Sequence, residues 1–108
     1  MTYRLVVTAS ARDDITRNAA WWAEHHSLDQ ALNWYDAIYE QMESLLMLPE
    51  SYAFSAENGA FSYDLREKLV GLGHRKTYRA IFTIAGEEVR VLAIRRASQD
   101  AFSPDELS

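Results

Sequence analysis

The chain has 108 residues, enough for one packed core and too few for two, so a single domain over residues 1–108 is expected. Its 48% hydrophobic and 25% charged residues exclude a disordered or fibrous chain, and the absence of cysteine excludes a disulfide framework, a Cys-based zinc site and a thiol nucleophile, in keeping with a cytoplasmic setting. A formal charge of −5 argues against direct DNA binding by this chain alone, and without a basic leader or an apolar run near 18 residues neither export nor a membrane partner is expected.

Tyr3 to Thr8 alternates apolar and polar positions with β-branched content and reads as a first strand. Ser10, three residues before Asp13, then marks a helix start, because its hydroxyl can cap backbone donors and the carboxylates of Asp13 and Asp14 suit the positive helix end. The apolar stripe Ala11, Ile15, Ala19 and Trp22 carries this helix to His25 or His26. Ser27-Leu28-Asp29-Gln30 has the form of a capping box and opens a second helix almost without a loop. Leu28, Ala31, Tyr35, Ile38, Met42 and Leu45 give its core stripe, which places Trp21 and Trp34 off the stripe and partly exposed. Pro49 ends the helix.

Residues 49–62 show neither period and contain the turn dipeptide Asn58-Gly59, so they read as a loop pinned by Tyr52, Phe54 and Phe61. Three strand-like runs follow, Tyr63 to Val70, Lys76 to Ile84 and Glu88 to Arg95, separated by short glycine-containing turns. The tail from Ala97 is polar, a brief helical turn or a loose end. The fold class is therefore α+β in the order β-α-α-β-β-β, a helical hairpin packed on one face of a small antiparallel sheet. The opposite face is left for function.

The positive charge is not spread evenly. Residues 63–96 hold eight Lys or Arg against four acids, whereas residues 1–62 hold three against nine. Arg66 and Lys68 share a strand face, Arg79 lies mid-strand, Arg95 and Arg96 end the last strand, and His74, Arg75 and Lys76 crowd one hairpin. Brought together, such cations bind phosphates or stabilise a phosphoryl transition state; alternatively they are solvated or paired with Asp64, Glu67, Glu87 and Glu88. His25 and His26 suit the negative end of the first helix. No metal-ligand spacing or glycine-rich phosphate loop occurs, so neither metal nor other cofactor is expected.

Taken in order, Tyr3-Arg4-Leu5-Val6-Val7 with Asp13-Asp14-Ile15, Ala31 to Trp34 running to Leu48-Pro49, Leu65-Arg66-Glu67, Tyr78-Arg79-Ala80-Ile81-Phe82 and Val89 to Arg96 resemble the RelE/ParE toxin superfamily over residues 3 to 101. The resemblance implies the toxin of a bacterial type II toxin-antitoxin, or plasmid stabilisation, system, with a cognate antitoxin as partner. It admits two activities: ribosome-dependent mRNA cleavage of the RelE kind and ParE-like inhibition of DNA gyrase. The nuclease branch uses a C-terminal His or Tyr near the ribose, but residues 93–100 read AIRRASQD. Arginine stays protonated and cannot act as the base. The ParE-like reading is therefore favoured, with Arg66, Arg79, Arg95 and Arg96 as target-binding residues. On the ribonuclease alternative, with ribosome and mRNA as partners, Arg66, Lys68, Arg79 and Arg96 would stabilise the phosphoryl group and His74 or Tyr78 would move the proton. An inert superfamily member serving as a binding module is the third reading.

Overall fold

The computed structural model describes residues 2–74, 76–97 and 102–107. Strand β1 (Arg4–Val7) leads into helices α1 (Ala9–His25) and α2 (Leu28–Glu43), followed by strands β2 (Arg66–Val70), β3 (Tyr78–Ala85) and β4 (Glu88–Arg96). The expected β-α-α-β-β-β order holds, and the two helices pack on one face of a four-stranded sheet ordered β1-β4-β3-β2. The sheet is mixed, not wholly antiparallel: β2, β3 and β4 form the expected meander, while β1 lies parallel to β4. A helical hairpin between β1 and the meander acts as a crossover, and crossovers return the chain in the same direction.

Thr8, not Ser10, caps α1. Its hydroxyl accepts from the Ala11 amide at 3.2 Å and donates to the Val91 carbonyl at 2.9 Å, so one side chain starts the helix and ties it to β4. Ser27 caps α2 as expected, accepting from the Gln30 amide at 3.1 Å. The buried stripe of α2 is Ala31, Trp34, Ile38, Met42 and then Leu45, whereas Leu28 and Tyr35 are exposed. Steps of three and four residues fit either stripe. The tertiary partner decides: Trp34 is fully buried with its ring edge-on to Tyr78 at 5.1 Å, and Tyr35 stacks on Tyr39 at the surface. Against this stripe and against Ala11 and Ile15 lie Val70, Tyr78, Ala80, Phe82, Val89, Val91 and Ile94.

A bulge breaks the alternation of β4. Phe82 pairs with Val91 but Ile81 pairs with Ala93, leaving Leu92 as the extra residue. Val89 and Val91 face the helices, Leu92 and Ala93 face away, and Ile94 faces the helices again. The far face is not left open, contrary to the expectation from the pattern. Leu65, Ile81, Leu92 and Ala93 form a second cluster there, roofed by Phe61 and the fully buried Phe102, whose rings stack at 5.3 Å. The loop expected to be pinned by Tyr52, Phe54 and Phe61 also closes the β2 edge: Phe54 bridges Arg66, with Ser55 N donating to Leu65 O and Glu67 N to Ala53 O. Unpaired edge groups are thereby satisfied.

Candidate functional site

The cations singled out by sequence divide between the two faces of the sheet. Arg66 and Lys68 lie with Val70 on the helix side of β2, where Arg66 Nη1 donates to Tyr52 O at 2.6 Å and its guanidinium rests 4.4 Å over the Phe54 ring. Lys68 Nζ donates to Ser44 Oγ at 2.5 Å and lies 5.6 Å from the Tyr52 ring. Arg79 points the other way. In register it stands opposite Arg95, and two like charges directly across a sheet repel unless neutralised. Both are.

Arg79 is 7% exposed and held by two carboxylates. Its Nη1 and Nη2 each reach Glu57 at 2.7 Å, a two-pronged contact, and Nη1 also reaches Glu67 at 3.1 Å. Glu57 Oε2 accepts in addition the backbone amide of Phe102 at 3.0 Å, and Glu57 Oε1 accepts from Ser55 Oγ. Hydrogen bonds from Arg79 first, then from Phe102 and Ser55, outweigh burial and bring the Glu57 carboxyl down to about 2. The same pair of glutamates holds Arg79 more firmly charged than an ordinary arginine. Buried charges persist when paired in this way. Glu67 was among the anticipated partners; Glu57, from the loop, was not, and nothing in its local sequence distinguishes it.

Arg95 is held by a second network. Burial works against its charge, but Glu106 Oε1 at 2.7 Å from Nη2 and Asp14 Oδ2 at 3.1 Å from Nε keep it above the usual arginine range. Asp14, 2% exposed, also accepts the Ile94 amide at 3.0 Å and receives Arg17 on its other oxygen. The Ile94 contact has a topological cause. Strand β1 pairs with β4 only as far as Val91, and the β4 edge beyond it needs another acceptor. A buried carboxylate on α1 takes the place of the missing strand.

Arg96 has no such partner. Its guanidinium lies 5.1 Å from the Trp21 ring, and no carboxylate among the described residues pairs with it. Trp21 also stacks on His25 at 4.5 Å, so its half-buried state, expected from its place off the stripe, has a specific cause. Around Arg96 runs an open cleft of about 350 Å³ lined by Arg17, Asn18, Trp21, Ile94, Arg95 and Arg96.

Neither proton-transfer candidate meets Arg79, although Tyr78 stands in register with Arg96. Tyr78 is 4% exposed and packed under α2 on the side of the sheet away from Arg79, and His74 is exposed in the β2–β3 hairpin. Lys76 Nζ in that hairpin is bound to Gly71 O, while Arg75 and residues 98–101 lie outside the described residues. Among the described residues there is no group of three potential metal ligands.

The family described as the ParE toxin of the type II toxin-antitoxin system parDE matches residues 5–101. The chain belongs to the ParE toxin family. A solved structure described as the chromosomal ParDE toxin-antitoxin system from P. aeruginosa shares the fold, with a TM-score of 0.74 at 21% identity, over 88% of this chain and 96% of that one. A comparison with curated proteins found no match. Membership makes this a ParE-type toxin of a type II toxin-antitoxin system, and such a system implies an antitoxin partner.

Proposed function

We propose that this ParE-family toxin arrests growth in the cytoplasm by binding DNA gyrase, without cutting RNA, and that a cognate antitoxin neutralises it. The observation that carries the reading is the Glu57–Arg79–Glu67 clamp. A cation that stabilises a phosphoryl transition state must present its donors to the substrate, and Arg79 presents its Nη donors to two glutamates while remaining almost wholly buried. Arg66 and Lys68, which would complete a phosphate site with it, lie across the sheet. No His or Tyr follows Ile94 in the chain. General acid-base cleavage at a ribose needs a group that both gives and takes a proton near neutral pH.

A binding toxin needs surface instead of a base. Leu28, Leu32 and Tyr35 on α2 and Met47 and Leu48 after it are exposed, and large exposed apolar side chains are the material of protein interfaces. The test is gyrase supercoiling of relaxed plasmid with purified toxin. Inhibition that grows with toxin and is reversed by the antitoxin supports the reading; full supercoiling in large toxin excess removes it.

A further inference from the structure

The cleft beside Arg96 lies apart from the Glu57–Arg79–Glu67 clamp. Three arginines line it, Arg17 on α1 and Arg95 and Arg96 at the end of β4. Two are fixed from behind: Asp14 holds Arg17 through one oxygen and Arg95 through the other, and Glu106 holds Arg95 from the C-terminal turn. Among the described residues the third, Arg96, is held by the Trp21 indole alone, which itself is backed by His25. Asn18 donates its amide to Asp14 O and so adds no negative charge to the lining.

From this arrangement we infer that the cleft captures a carboxylate side chain from a short acidic peptide segment of a protein partner. Arg96 has no carboxylate partner among the described residues, so one guanidinium is left to match one carboxylate. A phosphate monoester carries close to two negative charges. The Arg96 guanidinium is planar and rests 5.1 Å from the Trp21 ring, and a carboxylate can take two of its N–H donors together. Trp21 is already in contact with Trp22, His25, His26 and Arg96, which disfavours the indole as a platform for a nucleobase. A volume of about 350 Å³ suits one or two side chains and no extended polymer.

The test is titration of the ¹⁵N-labelled protein with an acetylated, amidated hexaglutamate peptide at physiological salt, following the Trp21 indole and Arg96 Nε signals. The expected result is a saturable shift of both signals, absent with hexaglutamine, and an affinity about tenfold lower in Arg96→Gln, the loss expected for a charge-assisted hydrogen bond. Arg17→Gln, at an exposed side chain, reports on the same cleft if the first variant does not fold, and it should weaken the peptide severalfold. The proposal is overturned if hexaglutamate leaves both signals unmoved, or if the folded variants bind it as tightly as the parent. It is equally overturned if inorganic phosphate or a single-stranded oligonucleotide binds the cleft more tightly than the peptide.

Discussion

The two faces of the sheet are built on different physics. On the helix side, Trp34, Ile38, Met42 and Leu45 meet Val70, Phe82, Val91 and Ile94 in a contact that is apolar apart from ring hydroxyl and indole groups. On the far side, a smaller apolar cluster around Phe102 is joined to a buried ionic clamp, Glu57–Arg79–Glu67. Apolar burial is insensitive to pH and tolerates no loss of volume; a buried ion pair is sensitive to pH and leaves a charge stranded if one partner is lost. In this toxin Arg79, at the middle of the region richest in cations, is therefore a brace, and Arg96, without a carboxylate partner among the described residues, lies at the margin of that region.

Four changes sharpen that contrast. Trp34→Ala opens a cavity in the helix-side core and should cost about 4 kcal/mol in urea unfolding. Glu57→Gln should cost about 3 kcal/mol at pH 7, because Arg79 loses its two-pronged anion and the Phe102 amide a charged acceptor. The pH dependence carries the same signature. The Glu57 carboxyl is lower in the folded than in the unfolded chain, so its stabilisation is complete above about pH 5 and is lost as pH falls toward 2. Wild-type protein should lose about 3 kcal/mol across that interval in excess of the Glu57→Gln variant. A parallel decline in the two proteins would refute the clamp.

Phe102→Ala tests whether the C-terminal turn is part of the global fold. The ring is buried against Phe61 and the far-face cluster with the Arg95 guanidinium over it, and among the described residues the turn is tied besides by the Glu57 contact and by Arg95 to Glu106, few enough ties for the turn to be expected to open by itself. Local opening limits the cost to about 1 to 2 kcal/mol, with accelerated hydrogen exchange confined to residues 102–107. A loss matching that of Trp34→Ala would make the far-face roof an integral part of the core. Smallest is Arg96→Gln, expected within about 0.5 kcal/mol of the parent in unfolding experiments because it breaks no ion pair among the described residues.

Element order and extent were largely legible in the sequence, since each strand and helix carries its own period. Ser27 and Pro49 mark boundaries by backbone chemistry that acts locally. The parallel pairing of β1 was not legible, because the strand's own residues are the same whichever neighbour it takes. Trp34 and Tyr35 were assigned to the wrong sides for a related reason: adjacent aromatic positions lie about 100° apart on a helix, and only the Tyr78 ring facing them decides which is buried. Phe102 gave one usable signal, a large aromatic in an otherwise polar tail.

The candidate site was legible as a set of cations and not as an arrangement. Arg66 and Arg79 both lie on strands, but their faces depend on the β2–β3 register, which pairs Lys68 with Ala80 and Leu69 with Arg79. The β4 bulge at Leu92 separates Arg95 and Arg96 from the alternation that starts at Glu88. Glu57 and Asp14, the carboxylates that decide what the arginines can do, are 22 and 81 residues from Arg79 and Arg95 respectively. Charge neutralisation over such distances leaves no local pattern.

The central claim is that the growth arrest arises at gyrase and not at messenger RNA. Mapping new mRNA 5′ ends on translating ribosomes in cells expressing the toxin, with gyrase-bound DNA breaks scored in the same samples, tests it directly. The account predicts gyrase-bound breaks and no new 5′ ends while growth stops. Ribosome-dependent 5′ ends in cells whose chromosome is intact would contradict it.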